Sequence, residues 1–287
     1  MRQTVMSVIV AVVLVGCAQG STTSPGSEPI QHGAGANQPL LKIEHTGGFV
    51  PLEYSFTNLP AFALYGDGTV VLPGVQIAIY PAPALPAIFQ RHLTEDGIQA
   101  VLRAAIDAGL DGDASYTDLG TIGVADAATT VFTLSVGGET HVISAYALGF
   151  EGSDKPEGMP DAEFAARVRL LAFLESVGEL SSMVPTGSLG DQQPYVGTAG
   201  RILVGPYQPD PQLPQESKDW PLPTPLQDFG EATETYGPGY RCGVAEGDGW
   251  QALRALAREA NERTPWRSGG ETFALTFRPL LPDETSC

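Results

Sequence analysis

A chain of 287 residues, 43% of them hydrophobic, is long enough for one large domain or two small ones and for a substantial core. Its 33 acidic residues against 15 basic ones leave a formal charge of −18, with no basic stripe, which excludes nucleic acid as a partner. The same acidity argues against adhesion to anionic lipid by charge.

The first predicted element is an export signal. Arg2 supplies a positive n-region, and Val5 to Gly16 forms an almost unbroken apolar run. At roughly twelve residues this run is too short to cross a bilayer core, which needs about twenty apolar residues in a helix. It ends in Leu14-Val15-Gly16-Cys17, which resembles the bacterial lipobox: small residues admit the processing peptidase, and the thiol accepts diacylglycerol. The expectation is a signal peptide over residues 1–16, with Cys17 as the lipid-bearing first residue of the mature protein. Two or three acyl chains at about 0.8 kcal/mol per buried methylene hold a protein on a membrane far better than one. Ala18 to Pro39 is rich in Ser, Thr, Gly, Pro and Gln, so residues 17–40 read as a flexible tether, with His32 as a solvated linker residue.

Residues 41–287 are expected to form an α+β globular domain. Val50, Leu52, Tyr54 and Phe56 alternate with Pro51, Glu53 and Ser55, the period of a half-buried strand. Phe62 to Tyr65 and Thr69 to Leu72 flank Gly66-Asp67-Gly68, which predicts a β-hairpin with Asp67 in turn chemistry. Thr94 caps a helix carrying Ile98, Val101, Leu102, Ala105 and Ile106 at helical spacing, stopped by Gly109. Thr130 to Val136 and Glu139 to Leu148 form a second hairpin about Gly137-Gly138. Asp161 caps a second helix through Val177, apolar on most sides and therefore expected to be the most buried.

From Pro185 to Gly239 prolines and glycines are dense, and only Arg201 to Val204 reads as a strand. Such a stretch predicts either a surface wrap or a connection between two domains, with a possible boundary within 184–240. Asp248 caps a third helix with Trp250, Leu253, Leu256 and Ala257, after which Glu259 and Arg263 are spaced as a surface pair. Phe273, Leu275 and Phe277 mark a final strand. Gly-Gly-Glu-Thr occurs at Gly137 to Thr140 and again at Gly269 to Thr272, too short an echo for a repeat. Hairpins interspersed with about three helices argue for a mainly antiparallel sheet rather than a doubly wound parallel one.

With Cys17 lipidated, Cys242 and Cys287 remain, in a compartment that tolerates disulfides, and they are expected to pair. Closing a loop of about 46 residues stabilises a fold by roughly 4 kcal/mol in the chain-entropy model. The arrangements of exported enzymes are missing: there is no H-E-x-x-H, G-x-S-x-G, S-x-x-K or C-x-x-C. Ser188 lies in Thr186-Gly187-Ser188-Leu189-Gly190, which lacks the glycine two before the serine. His141 and Ser144, three apart in a strand, point to opposite faces and make no catalytic pair. His45 and His92 precede a strand and a helix without a spacing that joins them. Asp111, Asp113, Ser115 and Asp118 superficially suggest a calcium loop, but Tyr116 stands where glycine is needed and Ile122 where the bidentate acid belongs. No catalytic residue, metal ligand or cofactor is therefore assigned. Tyr80-Pro81-Ala82-Pro83, Tyr207-Gln-Pro209, Trp220-Pro221-Leu-Pro223 and Tyr236-Gly-Pro238 set rings beside stiff segments, which either line a groove for peptide or glycan or seal a core edge.

Leu64-Tyr-Gly-Asp-Gly-Thr-Val-Val71, Leu93-Thr-Glu-Asp-Gly-Ile-Gln99, Thr264-Pro-Trp-Arg-Ser-Gly-Gly270 and Arg278-Pro-Leu-Leu-Pro-Asp-Glu284 resemble segments of secreted lipoproteins of unknown function from high-G+C Gram-positive bacteria. The resemblance spans most of the mature chain and implies export and a single unit; it carries no catalytic residue or ligand. A weaker likeness ties the hairpin and helix to small α+β domains in which a strand hairpin precedes a helix. The expected role is a lipid-anchored, noncatalytic envelope protein on the extracytoplasmic face. Its partners would be the membrane, through Cys17, and an envelope protein, peptide or glycan. The alternatives are an exported hydrolase of wall polymer or glycan, which needs converging acids in a cleft, and a small-ligand carrier, which needs an apolar pocket.

Overall fold

The computed structural model describes residues 28–287. The expected signal peptide and Cys17 lie outside them. The fold is α+β: two mainly antiparallel sheets, each with helices on one face.

The first sheet contains β1 (Pro39–Gly47), β2 (Phe62–Tyr65), β3 (Thr69–Pro73), β4 (Ile88–His92), β5 (Ala114–Tyr116), β6 (Ala128–Val136), β7 (Glu139–Tyr146) and β8 (Gln193–Pro194), in the order β5-β7-β6-β1-β2-β3-β4-β8. Only the β5–β7 pair is parallel. Leu41 and Ile43, Phe62 and Leu64, and Phe132 and Leu134 leave one face of the sheet, as strand alternation requires. They pack against two helices, α2 (Glu95–Asp107), through Ile98, Val101 and Leu102, and α3 (Asp161–Gly178), through Leu170, Phe173 and Val177.

The predicted hairpins form where glycine allows them. Gly137 and Gly138 both have positive φ, 61° and 85°, the pairing that a tight two-residue hairpin turn demands. Asp67 accepts hydrogen bonds from the Thr69 amide and hydroxyl, which is the turn role expected of it.

The second sheet contains β9 (Ala199–Pro206), β10 (Lys218–Asp219), β11 (Glu231–Ala232), β12 (Arg241–Glu246), β13 (Trp266–Ser268) and β14 (Glu271–Pro279), in the order β10-β13-β14-β9-β12-β11. Ile202, Val204, Leu275, Phe277 and Trp266 build its core with Trp250, Leu253 and Ala257 of α5 (Gly247–Ala257). Trp266 meets Phe277 edge-on at 5.4 Å, and Trp220 meets Phe229 at 5.1 Å. The second Gly-Gly-Glu-Thr turns the β13–β14 hairpin, again with both glycines at positive φ.

Several expectations are corrected. The alternating stretch from Val50 to Phe56 is not a strand: Leu52–Thr57 forms the short helix α1. Pro51 has no amide to give a strand ladder, whereas its carbonyl accepts from Tyr54 and Ser55 and opens a helical turn. The α3 helix is not buried on most sides, since Val168 is 45% exposed. Its buried face instead includes Arg167, whose Nε lies 3.3 Å from Glu151. Glu259 and Arg263 do not pair with each other. The helix stops at Ala257, and Glu259 meets Lys218 while Arg263 meets Asp210.

Residues 28–40, the described part of the expected tether, lie on the domain: Pro39 and Leu40 already belong to β1, and the residues before them are held to the domain surface. Ile30 packs on the first core, its amide donates to Gln99 Oε1 and its carbonyl accepts from Gln99 Nε2. The Gly33–Gly35 backbone sits against Gly66, where a Cβ would collide with it. One apolar residue and satisfied backbone groups are enough to hold a segment that composition marks as loose. His32 likewise meets Glu95 at 3.1 Å rather than standing free in solvent.

The Pro185–Gly239 stretch is neither pure wrap nor bare linker. It supplies β8 to the first sheet and β9, β10 and β11 to the second, so the chain crosses between sheets after Pro194. Segments are also exchanged. A short α4 (Leu180–Met183) stays with the first core, whereas Ala84, from the loop before β4, joins the second. Among the described residues no helix is long and apolar enough to cross a membrane.

Candidate binding cleft

Each sheet has a second face, turned away from its long helices, and these faces are joined through α1 and the segment after β14. On the first sheet Ala63 and Tyr65 of β2, Val71 of β3 and Ile88 of β4 cluster with Leu281, which follows β14. On the second, Leu203 of β9 and Cys242 of β12 cluster with Phe56 of α1. Thus α1, which belongs by chain order to the first sheet, packs on the second, and the segment after β14 returns to the first.

The register of β9 and β14 sets Arg201 directly opposite Arg278. Neighbouring Ile202 and Phe277 enter the α5 core, so alternation sends both arginines to the junction face. Arg278 is fully engaged. Its Nη1 and Nη2 donate to the Glu284 carboxylate at 2.5 and 2.9 Å, and its Nε donates to the Asn58 carbonyl at 3.0 Å. Glu284 also accepts from the Leu281 amide at 2.9 Å. Burial works to raise the Glu284 carboxyl, but the Arg278 hydrogen bonds and charge prevail and hold it below the ordinary value.

Asp283, next along, accepts from the Tyr65 hydroxyl at 2.6 Å and from Lys42 Nζ at 3.0 Å. Burial again opposes ionisation, and those two donors outweigh it, so the carboxyl lies low. Burial and the hydrogen bond to Asp283 push the Tyr65 phenol far up. Tyr195, which donates to the Leu280 carbonyl at 2.7 Å, is pushed up to about 12 by burial and by the charge of Glu284.

Arg201 differs from its neighbour. Its Nη2 donates to the Phe56 carbonyl, and its guanidinium carbon lies 4.7 Å from the centre of the Phe56 ring. Among the described residues no carboxylate forms an ion pair with it, and its Nε is buried without an acceptor. Burial and the neighbouring Arg278 charge lower its pKa to about 10, against the charge of Glu284, which acts the other way.

Beside it opens a cleft of about 640 Å³ lined by Arg201, Phe56, Tyr236, the Cys242–Cys287 disulfide and hydroxyls such as those of Thr233 and Ser286. Phe56 and Tyr236 meet edge-on at 5.8 Å, which fixes one wall.

The expected disulfide is present: Cys242 and Cys287 are joined, with Cα atoms 5.9 Å apart. Of the proline-flanked rings, Tyr236 lines the cleft, Trp220 is buried in the second core and Tyr80 is 69% exposed elsewhere. The three histidines stand apart on β1, β4 and β7. Partial burial lowers the His45 imidazole, which lies 3.2 Å from the Thr130 hydroxyl, and His141 lies 3.7 Å from Glu139. Asp113 accepts from the Val142 amide of β7 and Asp118 from the Gly120 amide, so both carboxylates are committed to backbone amides. Ser144 donates to Ser115, and Ser188 is buried, its carbonyl accepting from the Thr94 amide at the start of α2. Among the described residues no group of three or more His, Cys, Asp or Glu is placed to hold a metal ion.

Sequence reasoning missed Arg201 and Arg278. The signal was a single arginine inside each of two apolar strand runs, Arg201-Ile-Leu-Val204 and Phe277-Arg278-Pro-Leu-Leu281. Comparison with family models, curated proteins and solved structures finds no match for this chain.

Proposed function

We propose that this is a lipid-anchored protein of the cell envelope, held on the extracytoplasmic face through Cys17, whose role is to bind rather than to catalyse, and that the cleft beside Arg201 is where it binds. The observation that carries the binding role is the company Arg201 keeps. A half-buried cation with no carboxylate in ion-pair distance among the described residues is set among two aromatic rings and several hydroxyls, the lining of a recognition site. The Cys242–Cys287 bond suits an oxidising compartment, in keeping with export.

The hydrolase alternative requires an acid poised to donate a proton near neutral pH. The two carboxyls at the junction, Asp283 and Glu284, are both held low by their partners and are poor general acids. Glu231 reaches the cleft only at its exposed rim.

Labelled palmitate tests the anchor. It is expected to enter the full chain in a lipoprotein-processing host and to be lost in Cys17→Ala; equal labelling of both proteins would refute the anchoring.

A further inference from the structure

We infer that the cleft takes a small ligand with a carboxylate attached to an apolar or aromatic body, and that Arg201 supplies the counter-charge. This rests on the cleft being the binding site and adds the chemical class of its occupant.

Arg201 and Arg278 make an internal comparison. They share a register position, a sheet face and a role at the end of α1, where one takes the Phe56 carbonyl and the other the Asn58 carbonyl. Arg278 is neutralised by a two-point bond to Glu284, and it does not line the cleft. Arg201 does line it, and among the described residues only Nη2 of its three nitrogens has a hydrogen-bond acceptor. A desolvated cation is costly unless paired. A chain with 33 acidic residues has counter-ions in abundance, yet among the described residues none lies within ion-pair distance of Arg201, and the charge of Glu284, already bound to Arg278, reaches it only from farther off. A planar guanidinium with free donors matches a carboxylate, and the low dielectric beside Phe56 strengthens that attraction.

The remainder of the lining selects the body of the ligand. Tyr236 and the Cys287 end of the disulfide offer apolar surface, with Phe56, itself 1% exposed, packed behind them, and Ser55, Thr233 and Ser286 bring hydroxyls to the lining. A volume of about 640 Å³ falls within the range of small-molecule sites. With an overall charge of −18 the protein surface repels anions at long range, so affinity for one must arise locally.

The test is calorimetric titration of the full chain in neutral detergent with 3-phenylpropionate, and with 3-phenylpropan-1-ol as its uncharged counterpart. The carboxylate is expected to bind wild type at least about tenfold more tightly than the alcohol, and Arg201→Gln to abolish that difference. Arg201→Lys should retain part of it, since charge survives without the planar fork.

Because Arg201→Gln also removes a bond to α1, Thr235→Glu provides an independent variant. Thr235 is exposed on the cleft lining, and a carboxylate placed there should weaken the anionic probe while leaving the melting temperature unchanged. Equal affinity of wild type for both probes, or undiminished carboxylate binding in Thr235→Glu and in folded Arg201→Gln, would overturn the inference. Tighter binding of the alcohol in all variants would leave the cleft as a binding site and remove only the ligand class. Absence of heat from both probes removes the proposed ligand class as well, and neither result touches the Cys17 anchor.

Discussion

At the residue scale the junction depends on charges that have been desolvated in pairs. Arg278 is 2% exposed, and Glu284 is its only carboxylate partner among the described residues. Glu284→Gln leaves that guanidinium buried with a neutral acceptor, and a loss of about 3 kcal/mol is expected in urea unfolding. The two low carboxyls also set a pH dependence. Asp283 and Glu284 ionise more readily in the folded protein than in the unfolded chain, so the unfolded state binds more protons as the medium is acidified. Their stabilisation is present in full above the ordinary carboxylate range and is lost as pH falls through their lowered folded values. Urea midpoints measured from pH 7 down to about pH 3 should therefore fall more steeply for wild type than for the Asp283→Asn, Glu284→Gln double variant. Parallel curves would show that these carboxyls are not what acid removes.

At the element scale, close approach governs the second sheet. Gly200 of β9 lies directly beneath the Trp250 ring of α5, and a Cβ there would collide with it. Gly200→Ala should push α5 away and cost about 2 kcal/mol by overpacking, read as a lower melting temperature and a red shift of tryptophan emission. Elements with a strong period of their own were legible in the sequence. The 3.6-residue spacing of Ile98, Val101, Leu102 and Ala105 is realised in α2, and the glycine pairs before Glu139 and Glu271 turn their hairpins. The Val50–Phe56 segment misled because seven residues can satisfy two periods at once. Beside the turn opened by Pro51, α1 is held at its end by two arginines that donate to the Phe56 and Asn58 carbonyls, and both come from strands far along the chain.

For the whole molecule, the segment after β14 is the clasp between the sheets. Leu281 enters the cluster on the first sheet, Asp283 reaches Lys42 and Tyr65, and the Cys242–Cys287 bond ties the far end back to β12. The disulfide spans a sequence separation of 45, and in the chain-entropy model its reduction should lower stability by about 4 kcal/mol. Unfolding by urea with and without reductant measures that loss. Leu281→Ala should cost a further 2 to 4 kcal/mol or thereabouts, because a 2% exposed side chain leaves a cavity at the meeting of two sheets. If Leu281→Ala unfolded at the wild-type midpoint, the clasp would have no energetic role.

Local patterning by itself determined the α+β class, three long helices and the glycine turns, since these depend on neighbours a few residues apart. Cysteine arithmetic likewise pointed to the Cys242–Cys287 pair. Only the tertiary structure decided that Arg201 stands opposite Arg278, that Glu284 bonds to Arg278 and reaches Arg201 by charge alone, and that α1 crosses to the second sheet. Strand register and segment exchange are agreements between residues dozens to hundreds of positions apart. They are fixed by which faces can be buried together, a condition no local period records.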